Sequence, residues 1–110
     1  MIEKTISEIE ARVRGVESVN TTQKQELLDL LGKLKAEVGA LEQTHSQKAK
    51  TIADSINVST QAATSGAQNP ESVRTSVDGL RSSVEGFEQS HPKLVQIVNS
   101  LSNMLSNLGI

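Results

Sequence analysis

Apolar residues recur along this chain at steps of three and four. Ile2, Ile6, Ile9, Val13 and Val16 open it with the spacing four, three, four, three. Leu27, Leu31, Leu34, Val38 and Leu41 follow, then Ala49, Ile52, Ile56 and Ala63, without an intervening proline. Val73, Val77, Leu80, Val84 and Phe87 make a third series, and Leu94, Ile97/Val98, Leu101, Met104/Leu105 and Leu108 a fourth. Side chains three and four apart stack on one face of an α-helix, so each series marks the buried stripe of an amphipathic helix. The pattern predicts helices at about 2–16, 22–64, 70–89 and 92–108.

Capping signals set the boundaries. Gly15 and the polar run from Glu17 to Thr21 end the first helix. Thr22 with Gln25 reads as a capping box for the second, with Asn20 or Thr21 as alternative caps. Asn69 followed by Pro70 and Glu71 is a strong restart, because an Asn cap, a proline at the first helical position and an early acid all suit a helix start. Ser90-His91-Pro92 repeats the cap-then-proline signature and implies a break or kink. Gly32 and Gly39 inside the second stripe mark places where another helix approaches closely. The stripe weakens from Thr44 to Lys48, where His45 takes a leucine's place and a bend or wetter layer is expected.

These lengths predict an all-α fold: an elongated antiparallel helical bundle or hairpin of four helices, coiled-coil-like, around one long central helix. A continuous helix over 22–64 is about 60 Å long at 1.5 Å per residue. The segment 70–108 lies back along it with the tip near Gly66, and the first helix covers only its N-terminal half. One end is then a three-helix bundle and the other a bare pair. Two apposed helices bury too little surface to stand in water. The expectation is a homodimer, closed through Ile52, Ile56, Val73, Val77, Leu80, Val84 and Phe87.

Composition sharpens this picture. At 110 residues the chain reads as a single domain. Hydrophobic residues are 35% and Phe87 is the sole aromatic, which suits thin helix-on-helix contacts. The formal net charge is −2, acids and bases alternate, and no basic block tracks phosphates, so nucleic-acid binding is not expected. Cysteine is absent, which removes disulfides and thiolate metal sites. The N-terminus lacks a signal peptide's apolar run, and no stretch approaches the roughly 20 apolar residues that span a bilayer. A cytoplasmic protein is expected, and the sequons at Asn20 and Asn57 read as chance matches.

The run from Gly79 to Val95 contains Phe87-Glu88-Gln89-Ser90-His91-Pro92-Lys93-Leu94, and the chain stops at Leu108-Gly109-Ile110. This pattern, Phe-Glu-x-Ser-His-Pro-x-Leu with a terminal Leu-Gly-Ile, resembles a family of small bacterial helical proteins of unknown function. The leucine-rich stretch from Leu27 to Leu41 is similar as well. The resemblance implies a bacterial source and a helical fold, and it brings no activity, cofactor or catalytic residue.

The candidate chemistry is sparse. His45 and His91 are the only histidines, and no His or carboxylate pair has i,i+4 ligand spacing, so no metal and no cofactor are expected. His45 reads as a polar layer that sets register. Ser90, His91 and Pro92 read as a structural cap and kink; a catalytic Ser90–His91 pair lacks a third orienting group. The glycines are scattered and form no phosphate cradle, and no small-molecule substrate is evident. The expected function is non-enzymatic: a structural or scaffold protein that self-associates through helix packing. The alternatives are an adaptor for a partner helix and a peripheral membrane binder. The last rests on the final helix, which from Leu94 onward carries no charge and sets apolar residues opposite Ser, Asn and Gln. Burial on several sides of a bundle explains the same pattern more simply, and a membrane surface is disfavoured. Liposome flotation separates these: the wild-type chain should remain in the unbound fraction, whereas flotation abolished by Leu101→Glu would establish the lipid reading.

Overall fold

Among the described residues the apolar stripes resolve into five α-helices rather than four. In chain order they are α1 (Ile2–Gly15), α2 (Thr21–Glu42), α3 (Ser46–Thr64), α4 (Pro70–Ser82) and α5 (Pro92–Leu108). The structure is a computed structural model, and it describes residues 2–17, 19–64 and 69–108. The expected hairpin tip at Gly66 lies outside the described residues, and among those there is no strand.

The expected central rod is broken. α2 ends at Glu42, and the N–H groups of Thr44 and His45 both turn back to the Leu41 carbonyl, at 3.1 and 2.8 Å. α3 begins one residue on, with the Ala49 N–H bonding to the His45 carbonyl at 2.9 Å. The sequence explains why the corner falls there. Between Leu41 and Ala49 stand seven consecutive polar residues, Glu42 to Lys48, of which Gln43 to Lys48 are exposed. A straight helix would press His45 into the core stripe. Turning the chain leaves it in water and keeps Leu41 and Ala49 inside.

Folding the rod in two changes the molecule's shape. Its dimensions are 37 × 24 × 20 Å with a radius of gyration of 12.9 Å. A globular chain of this length has a radius near 13 Å, so the elongated bundle is corrected to a rounded one. α3 lies at its centre and touches all four other helices. α1 and α4 flank one side of it, while α2 and α4 flank α5 and do not touch each other.

The cap at Asn20 holds α2's start by accepting the Gln23 N–H at 2.8 Å, one of the three alternatives at that boundary. α1 runs antiparallel along α2. Its side chains Glu3 and Glu10, seven apart, pass over Gly39 and Gly32, also seven apart. A Cβ at Gly39 would lie 2.9 Å from the Glu3 carboxylate, and one at Gly32 would lie 3.9 Å from that of Glu10. The close approach expected at both glycines is found at Gly39, whereas Gly32 has only ordinary contact. The Lys35 ammonium meets Glu10 at 2.8 Å, and Glu10 is buried. The end of α1 bridges two elements: Lys24 bonds to the Arg14 carbonyl at 3.2 Å, and Arg12 donates to the Asn57 side chain. Ile2, Ile6, Ile9 and Val13 bury against α2 and α3. Each such side chain contributes roughly 1.5–3 kcal/mol, enough to hold a helix too short to persist alone.

The segment expected as one helix over 70–89 stops at Ser82. Asn69 caps its start, accepting from the Glu71 and Ser72 N–H groups at 2.9 and 3.4 Å, with Pro70 first in the helix. Turns follow from Ser83, and Gly86 has φ +94°, a left-handed conformation that glycine adopts without strain. Val84 and Phe87 therefore sit in a loop, yet both stay buried.

The proposed self-association face is corrected by this arrangement. Ile52 and Ile56 are 0% exposed, Val73 3%, Val77 1%, Leu80 0%, Val84 2% and Phe87 5%. All seven belong to a single core shared by every helix. The stripes were right about burial and silent about the partner, and the partner is the chain's own fold. There is no bare pair of helices in need of a second copy.

Two predictions follow from this packing. Val77→Glu with Leu80→Glu places two charges in the core, so circular dichroism should report an unfolded chain; a folded, helical variant would mean those side chains faced solvent. Gly79 is helical with open space around it, whereas Gly86 holds a positive φ. Gly79→Ala should stabilise by roughly 0.5–1 kcal/mol and Gly86→Ala should destabilise, read as opposite shifts in the urea midpoint.

Candidate functional site

His45, distant in sequence, meets Phe87 and His91 at one end of the bundle. The turn between α2 and α3 supplies His45, and the loop before α5 supplies Phe87 and His91. Ring centroids are 5.7 Å apart for His45–Phe87, 5.4 Å for Phe87–His91 and 6.2 Å for His45–His91, all edge-to-face. Each imidazole Nδ1 contacts the hydroxyl of the preceding residue, Thr44 at 2.8 Å and Ser90 at 3.0 Å. The Lys48 ammonium stands 5.5 Å from the Phe87 ring centre. Edge-to-face pairs contribute about 0.5–1.5 kcal/mol each beyond their buried area. The arrangement pins the α2–α3 corner to the loop that starts α5. Pro92 is the first residue of α5, and the His91 carbonyl accepts the Val95 N–H at 3.2 Å. Among the described residues no three His, Asp or Glu side chains converge as metal ligands do.

Three surface grooves lie between helices. One of about 510 Å³ separates α1 from α3 and is lined by Thr5, Glu8, Gln47, Lys50 and Asp54 among others. A second, about 300 Å³, runs between α3 and α4 beside Val58, the one large hydrophobic residue that is exposed among those described. The third, about 440 Å³, lies between α2 and α5, with half-buried Leu30 and Met104 in it and Gln23, Glu26, Asp29, Lys33, Ser100 and Asn107 around them. Leu30, three residues after Leu27 and four before Leu34, sits at the edge of the buried stripe, so it packs against the core and also lines this groove. Two hydroxyls, Thr60 Oγ1 and Ser102 Oγ, are buried without a hydrogen-bond partner, each costing about 1–3 kcal/mol, and neither lines these grooves.

α5 has two distinct faces. Leu94, Ile97, Val98, Leu101, Ser102 and Leu105 are buried against α2, α3 and α4. The apolar side that would enter a lipid surface is therefore the side that fills the core. The outward face consists of Lys93 in the first turn and then Gln96, Asn99, Ser100, Asn103 and Asn107, all exposed. Burial explains why the inner face lacks charge. It does not explain why the outer face has none beyond Lys93, where lysine or glutamate would cost nothing in water.

No helix among the described residues is long and apolar enough to cross a membrane. No curated protein and no solved structure matches the chain. A family model described as a domain of unknown function (DUF4404) matches residues 27–110. The match takes in most of α2 and all of α3, α4 and α5, and leaves α1 outside it. Covering well over half of the sequence, it shows that the chain belongs to the DUF4404 family, a helical family of unknown function.

Proposed function

We propose that the chain is a non-enzymatic helical scaffold that self-associates through the outward face of α5. The observation that carries this reading is the charge-free stripe from Gln96 to Asn107 on a chain whose residues are 22% charged. Interface centres are depleted in charged residues because desolvating a charge costs far more than desolvating an amide or hydroxyl. Amides also donate and accept at once, so a stripe of Asn, Gln and Ser can bond to a copy of itself. The half-buried Leu30 and Met104 border this stripe and add apolar surface to it.

Size sets the strength. α5 has 17 residues, about 25 Å at 1.5 Å each. With flanking helices the face covers roughly 500 Å² per copy, near the low end for specific complexes. A dissociation constant on the order of micromolar is expected.

Sedimentation equilibrium tests the reading. The wild type should dimerise over a micromolar range, and Gln96→Glu with Asn99→Glu, both exposed sites, should weaken dimerisation at least about tenfold by setting like charges across a neutral seam while leaving helicity unchanged. A wild-type chain that stays monomeric into the hundreds of micromolar, or a double variant that dimerises unchanged, would defeat it. A monomer whose groove takes a helix from a different protein would instead be the adaptor.

A further inference from the structure

We propose that His45 and His91 together bind one late transition-metal ion through their Nε2 atoms, tying the α2–α3 corner to the start of α5. The sequence offers no local spacing for such a site, and only the folded corner brings the two imidazoles together. His45 stands in the turn after α2, and His91 immediately precedes Pro92 of α5. Their ring centres are 6.2 Å apart, with planes at 85°. With metal–nitrogen bonds of roughly 2.0–2.1 Å, rings sharing one ion have centres about 5.2 Å apart at a tetrahedral angle and about 6.4 Å apart when opposite. The observed spacing falls inside that span. The angle between the planes is no obstacle, because each ring can turn about its own metal–nitrogen bond.

The other ring nitrogens are already engaged. Nδ1 of His45 meets the Thr44 hydroxyl at 2.8 Å, and Nδ1 of His91 meets the Ser90 hydroxyl at 3.0 Å. A hydroxyl can accept from Nδ1–H as well as donate to a bare Nδ1, so each ring can hold its proton there and present a lone pair at Nε2. Outer partners of this kind orient metal-binding imidazoles. Neither Nε2 has a hydrogen-bond partner among the described residues. His45 is exposed and His91 half-buried, so an ion can arrive from water. Phe87 packs edge-to-face against both rings, at 5.7 and 5.4 Å, and limits their swing.

The donor set selects the ion. Imidazole nitrogen suits copper, nickel and zinc, whereas magnesium and calcium take oxygen ligands. No third His, Asp or Glu side chain converges with these two among the described residues, so water completes the coordination and the ion is exchangeable. The Lys48 ammonium over Phe87 opposes a second cation, which favours copper, the divalent ion with the highest affinity for such ligands.

Copper(II) added to the full chain tests the shared site. Electron paramagnetic resonance should show two imidazole nitrogens on the ion near neutral pH. His45→Gln and His91→Gln should each lower that count to one and weaken binding at least about tenfold, because the second imidazole acts at high effective concentration. His45 is exposed, so its variant covers the case of a misfolded His91→Gln. Saturating zinc(II) should raise the melting temperature of the wild type, since an ion held by the folded corner alone stabilises it, and should not move the double variant. A single imidazole on copper in the wild type, or binding unchanged in His45→Gln, would overturn the proposal, as would a wild-type melting temperature that zinc leaves where it was. Dimerisation through α5 is measured without metal, so the two proposals fail separately.

Discussion

The fold depends on seven polar residues, Glu42 to Lys48, standing between two apolar stripes. A continuous helix through them would be a rod longer than the 37 Å molecule that is observed, with half its stripe unpartnered. By ending α2 at Leu41's last hydrogen bonds and restarting at Ser46, the chain brings α3 into the middle of its own bundle. Every other helix then has a surface to cover. The Phe87 ring beside His45 and His91 fastens that corner to the second corner of the chain, where α4 gives way to α5.

Much of this was legible in the residues. The four-three spacing found the buried stripes but ran α2 and α3 into one helix and carried α4 past Ser82, Asn69-Pro70 marked a start, and Gly39 marked a place where α1 comes close. The weak point at Thr44 was legible too, but as a bend. A polar gap without proline or glycine is compatible with a helix that curves and with one that ends. Which of these wins is settled by whether the far half finds better contacts after turning back. The same limit explains the misplaced interface. Periodicity says that Ile52, Val77 and Leu80 must be buried, and it cannot say whether the covering side chains come from the same copy. The meeting of His45 with His91 was beyond reach for a related reason, since the corner that joins them is a tertiary contact with no local signal.

The surface account rests on a feature that burial leaves unexplained. Once α5's inner face is assigned to the core, its outer face carries no charge after Lys93 in the first turn, on an otherwise ordinary charged surface. Membership in the DUF4404 family places α2 to α5 at the centre of the shared unit and leaves α1 outside the matched residues, although α1 here completes the core over α2 and α3. The α5 stripe, Leu30 and Met104 lie in the matched part, while Gln23 and Glu26 of the same groove precede it.

Everything above requires that α2 and α3 fold back on each other. Spin labels at Gln25 and Gln61, introduced as cysteines into a chain that has none, measure this directly by double electron–electron resonance. The end of α1 reaches both Lys24 and Asn57, so the folded arrangement predicts a distance below about 30 Å. An unbroken helix predicts about 54 Å over the same interval at 1.5 Å per residue, and a distribution centred there would contradict the account.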